Sequence, residues 1–143
     1  MIELNRLLTL IDEELRANKD LFPAGEYPSG TCGDTSTIVA VCLAENGYPE
    51  FTYISGERGS LEDGNWTSHT WLETENFVID LTARQFDDGP TELMIQKGSA
   101  FHTSFSNLSS RQITRDDLAS SNLMLLYDRI SQTIAPLLAP NIS

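Results

Sequence analysis

Apolar side chains recur at helical spacing at Leu4, Leu7, Leu8, Ile11 and Leu15, so the chain opens on an amphipathic helix that lays one face on a core. Phe22 to Gly30 carries two prolines and two glycines and reads as a loop. Thr31 to Asn46 reads as a second helix, closed by Gly47 where left-handed geometry is tolerated. Cys32 falls in its first turn. Ser36, Val39 and Leu43 lie within about 40° of Cys32 around the axis, and Cys42 lies about 80° away.

Phe51 to Ser55 has strand composition and stops at Gly56, and Glu57 to Asn65 is a polar loop. Ser68 to Thr74 and Phe77 to Thr82 read as two strands, with Glu75-Asn76 as a tight hairpin link. That turn pairs Thr74 with Phe77 and sets Trp71 opposite Asp80. His69 then shares a face with Asp80, one diagonal step away. A slip of one residue sends the two side chains to opposite faces. Beyond the hairpin, Leu93 to Ile95 and Ala100 to Phe105 read as short strands separated by Gly98. Thr114 to Asp117 resembles a helix-start box, and Leu118, Leu125, Ile130 and Ile134 continue a helical stripe as far as Pro136.

A length of 143 residues suits one domain, 1–143, and the 40% hydrophobic and 21% charged content is globular. The predicted class is α+β: N-terminal helices with Cys32 at a helix start, packed on a small antiparallel sheet carrying His69 and Asp80, then a C-terminal helix. The net charge of -12, from 21 acidic against 9 basic residues, argues against nucleic acid and anionic membrane surfaces. The acidic opening lacks a secretory profile and no run approaches the roughly 18 apolar residues of a span, so a cytoplasmic chain is expected. Two cysteines and two histidines at scattered spacing match neither a disulfide framework nor a structural zinc pattern, and no cofactor or metal is expected.

The chemistry suggested by single residues is that of a thiol. A helix start favours a thiolate at Cys32, and backbone N–H groups of that turn can receive an oxyanion. His69 on a strand supplies a base, and Asp80 on the next strand can fix its tautomer. Gly30 and Gly33 leave room for a carbonyl to approach beside Thr31 and Cys32. A carboxylate inside the apolar run Phe77 to Leu81 also demands a partner, and His69 is the nearest.

Three blocks stand in this order: Gly30-Thr31-Cys32-Gly33-Asp34-Thr35-Ser36, then Ser68-His69-Thr70-Trp71-Leu72-Glu73, then Ile79-Asp80-Leu81-Thr82-Ala83-Arg84-Gln85-Phe86. Together they resemble bacterial papain-fold (papain-like or transglutaminase-like) toxin domains and their stand-alone relatives, over about residues 20 to 90. The resemblance implies a cysteine-dependent hydrolase or acyltransferase. Cys32 would be nucleophile, His69 base and Asp80 orienter, acting through a thioester on carboxamide or peptide bonds of a protein or peptide. Proteolysis, glutamine deamidation and acyl transfer remain open. No glutamine stands shortly before Cys32, and Gln85 serves the oxyanion hole only if the fold returns it there.

Other readings stand beside it. Cys42, among Val41, Leu43 and Ala44, reads as core. Trp66 is a cleft-edge residue with a claim to substrate contact, and Trp71 is core. His102, between Phe101 and Phe105, reads as structural, and as the substitute base if His69 points away. Glu73 shares the face of His69. A catalytically silent papain-like fold used as a protein-binding module, and a metal site on Cys32 and His69, are the competing functions.

Overall fold

A computed structural model describes residues 4–48 and 51–138 of the chain. The acidic opening at residues 1–3 lies outside them. Helix α1 (Leu4–Ala17) buries Leu7, Leu8, Ile11 and Leu15 completely, as its spacing requires. Helix α2 (Cys32–Glu45) is different, because every residue from Thr35 to Leu43 is buried. Its middle is enclosed on all sides, and it ends at Asn46, followed by Gly47 at φ 80°.

Five strands follow: β1 (Thr52–Arg58), β2 (Thr67–Glu73), β3 (Phe77–Ile79), β4 (Met94–Gln96) and β5 (Ser106–Gln112), in the sheet order β4-β3-β2-β1-β5. The described pairings are all antiparallel. Leu72 pairs with Ile79 and Glu73 with Val78, and Thr74 N–H donates to the Phe77 carbonyl at 2.8 Å. Extending that register puts Trp71 opposite Asp80 and His69 on their face.

Alternation gives the sheet two different faces. Tyr53, Leu72 and Ile79 point to the helices α1, α2, α4 (Asp116–Ser120) and α5 (Met124–Leu138), where the larger core sits. Ile54, Trp71 and Val78 point the other way, into a smaller core of Ala83, Phe101 and Phe105. Helix α2 lies on the first face, its Ser36 hydroxyl donating to the Thr70 carbonyl at 3.5 Å.

Several expectations need correction. Ala100 to Phe105 is not a strand: Ala100–Thr103 forms the short helix α3, capped by Ser99, whose Oγ accepts from His102 N–H. The third strand ends at Ile79 instead of Thr82, because Thr82 N–H turns back onto Asp80 Oδ1 at 3.1 Å and leads into a 3-10 turn, Ala83–Gln85. The C-terminal stripe is two helices, parted where Asn122 takes φ 59°, and α5 runs through Pro136. β5 had no signal, since all seven residues are exposed and no alternation marks them. The α+β class stands, but the expected papain-like core built on a Cys-His-Asp triad does not. Among the described residues, the buried cluster that resembles a catalytic triad is His69, Asp80 and His102.

Candidate functional site

Asp80 sits where β3 gives way to the 3-10 turn, on the face of the sheet turned away from α2. Its Oδ1 is held by Thr82, accepting from N–H at 3.1 Å and from the hydroxyl at 3.4 Å. Its Oδ2 lies 2.6 Å from His69 Nε2 and 2.7 Å from His102 Nε2. An ionised carboxylate only accepts, so both imidazoles donate to one oxygen. His69 is 0%, Asp80 5% and His102 4% exposed, so the array is closed to solvent.

Its walls are aromatic. The His69 ring lies 5.0 Å from Phe86 and 5.7 Å from Phe101, and Trp71 stands 4.9 Å from His102, edge to face. Such a shell excludes water and makes each charge in it depend on its partner. Burial alone would push the Asp80 carboxyl up, yet the bonds and charge of the two histidines hold it below the usual carboxylate range. Burial pushes His69 down, and its bond to Asp80, the Cys32 thiol facing its other nitrogen and the charges of both reverse this, raising it to about 9.

The outer nitrogens differ. His102 Nδ1 lies 2.6 Å from Ser99 Oγ, a hydroxyl that can donate to it or accept from it. Ser99 thus both caps α3 and fixes the ring. His69 Nδ1 is buried without a well-formed hydrogen bond, and the group that faces it is the Cys32 thiol. Burial raises that thiol, and the bond and charge of His69 with the backbone and hydroxyl of Thr70 outweigh it, leaving Cys32 below its ordinary value. Cys42, by contrast, is pushed up to about 12 by burial and the nearby Glu45.

The cysteine triad expected from the sequence is therefore corrected. Cys32 stands outside the buried cluster, half-buried at the start of α2, and of that cluster it meets only the outer nitrogen of His69. The inner position is filled by His102, which the sequence suggested only as a structural residue or a replacement for His69. With Oδ2 shared by two rings and Oδ1 taken by Thr82, Asp80 is no dedicated orienter of one base. The cysteine hydrolase or acyltransferase, its thioester and the protease-like description fall with the triad, because the arrangement present is a His-Asp-His cluster with metal-binding geometry.

Of the remaining candidates, Gln85, Gly30 and Thr31 shape the loop before α2. Gln85 Oε1 accepts from Gly30 N–H at 3.1 Å, so it returns toward Cys32 as a tether for that loop. Gly30 itself has φ 70°, and Thr31 is 1% exposed with its hydroxyl donating to the Pro28 carbonyl at 3.2 Å. Gly33 lies under Tyr53, whose hydroxyl would stand 3.0 Å from an added Cβ. Trp66 is exposed, just before β2. The same loop is fixed by Tyr27, which donates to Asp12 Oδ1 at 2.7 Å while Arg84 donates to Asp12 as well.

No family model, curated protein or solved structure matches the chain. Among the described residues no helix is long and apolar enough to cross a membrane.

Ser99→Ala is expected to remove both the cap and the ring contact of His102. The capping loss alone costs about 1 kcal/mol. Thermal unfolding of the two proteins measures it, and an unchanged midpoint would show that α3 holds His102 without Ser99.

Proposed function

We propose that the chain is a metal-binding protein whose His69, Asp80 and His102 hold one divalent transition-metal ion. The observation that carries the reading is convergence: two imidazole nitrogens and a carboxylate oxygen, all buried, lie within 4.8 Å of one another. Two imidazoles and one carboxylate suit zinc, iron or nickel better than calcium or magnesium, which favour oxygen donors throughout.

The surroundings support it. Metal-bound histidines usually engage their second nitrogen elsewhere, which here means Ser99 for His102 and the Cys32 sulfur for His69. The Ser99 hydroxyl can accept from Nδ1–H once Nε2 gives its lone pair to an ion. Ligands drawn from β2, the end of β3 and α3 would make the ion a tie across the smaller core. Aromatic walls would keep it dry. Two free thiols fit a protein of a reducing compartment such as the cytoplasm.

The test is metal content and calorimetric zinc titration of the protein as purified and after EDTA. About one equivalent of zinc should bind, raising the thermal midpoint, with RT ln(1 + [zinc]/Kd) as the scale of the gain. His102→Ala should abolish binding and Cys32→Ser should retain it. Loss in Cys32→Ser with binding kept in His102→Ala would move the ion to the Cys32 side of His69 and overturn the three-residue site. An absence of zinc, iron and nickel binding would leave the cluster a hydrogen-bonded staple.

A further inference from the structure

At the hairpin end of the sheet, away from Cys32, a cavity of about 870 Å3 opens beside the β2–β3 turn. That is within the size range of small-molecule sites. Three aromatic residues line it: Tyr48, Phe51 and Phe77. Phe77 is 40% exposed although it opens a strand, so the cavity presents an uncovered ring to solvent.

The charged groups on its wall are Glu73, Glu75 and Lys97. Lys97 is already committed, its Nζ lying 3.5 Å from Glu73 Oε2. The other oxygen of Glu73 accepts from the Trp71 indole N–H at 3.0 Å. One lysine against two carboxylates leaves the wall net negative. Aromatic faces with an unbalanced carboxylate are the chemistry that holds organic ammonium groups, through cation–π attraction and ion pairing. A chain of net charge -12 also draws cations toward its surface.

The geometry points to a binding site for a small organic cation, an ammonium group on an apolar body, in the cavity between Phe77, Phe51 and Glu75. The cation sits toward Glu75 and the apolar body packs on the rings. Trp71 reports occupancy, because its indole is bonded to a wall carboxylate. The site is independent of the metal reading, since none of its lining residues belongs to the His69–Asp80–His102 cluster.

The experiment uses the full chain carrying Trp66→Phe, which leaves Trp71 as the sole tryptophan, and titrates phenethylammonium chloride while following indole emission. Saturable binding with a Kd of about 1 mM or tighter is expected, a realistic range for a probe of so few atoms. Glu75→Gln and Phe77→Ala, both at exposed positions outside the two cores, should each weaken it about fivefold or more. The neutral analogue 2-phenylethanol and the anion phenylacetate should bind at least about tenfold more weakly. Equal binding of 2-phenylethanol would overturn the claim of cation selectivity. Absence of a saturable response, or binding untouched by Glu75→Gln and Phe77→Ala together, would overturn the site. Repeating the titration in EDTA separates this result from that of the metal site, and binding should be the same.

Discussion

Asp80→Ala is expected to destabilise the metal-free protein by about 3–5 kcal/mol, the usual cost of removing one partner from a buried charge pair. Two rings donate to its Oδ2 and two Thr82 groups to its Oδ1, so truncation orphans four donors in a site closed to water. For a chain of this length the thermal midpoint should fall by roughly 10–20 °C. Denaturant unfolding in EDTA checks it, and a loss below about 1 kcal/mol would mean that the histidines find other partners.

Stability of the metal-free protein should also depend on pH with a definite sign. The folded-state value of Asp80 is depressed, so its contribution is present above the ordinary carboxylate value and is lost as pH falls through the folded one. His69 is raised to about 9, so its contribution is full below the ordinary imidazole value of about 6.5 and fades as pH rises toward 9. The window of greatest support lies between about pH 4 and 6.5. In Asp80→Ala the fade between pH 6.5 and 9 should shrink, as paired unfolding curves at those two values will show.

Trp71→Ala should cost about 3–5 kcal/mol, in line with large-to-small changes at buried aromatics. Trp71 is 1% exposed, with ring contacts to His69, His102 and Phe105, so its loss opens a hole beside the His-Asp-His cluster and admits water to it. Trp71→Phe isolates the polar part, because it keeps most of the packing and removes the indole bond to Glu73. Its cost should be nearer 1 kcal/mol. If the two substitutions destabilised equally, the bond to Glu73 and not the packing would be what holds this part of the smaller core.

Much of the scaffold was legible in the chain. The fully buried stripe of α1 follows its 3.6-residue spacing, and α2 begins at Cys32 and ends before Gly47 as the loop and glycine signals required. The two-residue link Glu75-Asn76 set the pairing of β2 with β3, and with it the common face of His69 and Asp80. Alternation forces that outcome once the turn length is known. What misled was Ala100 to Phe105, where two phenylalanines and a threonine read as a strand while Ser99 was in fact capping a helix. β5 gave no apolar pattern because nothing covers either of its faces.

The sequence by itself determined that Asp80, a carboxylate in an apolar run, had to find hydrogen-bond donors, since a bare buried charge is too costly to keep. It also determined that His69 could be one of them, through local register. Only the tertiary structure decided that the second donor is His102, 22 residues further along the chain, delivered by a helix that folds over the far face of the sheet. It decided as well that Cys32 meets the outer nitrogen of His69 and not the shared carboxylate, so that it stays outside the three-residue cluster. Local spacing fixes which side chains share a strand face, but which distant element covers that face depends on how the whole chain fills its two cores.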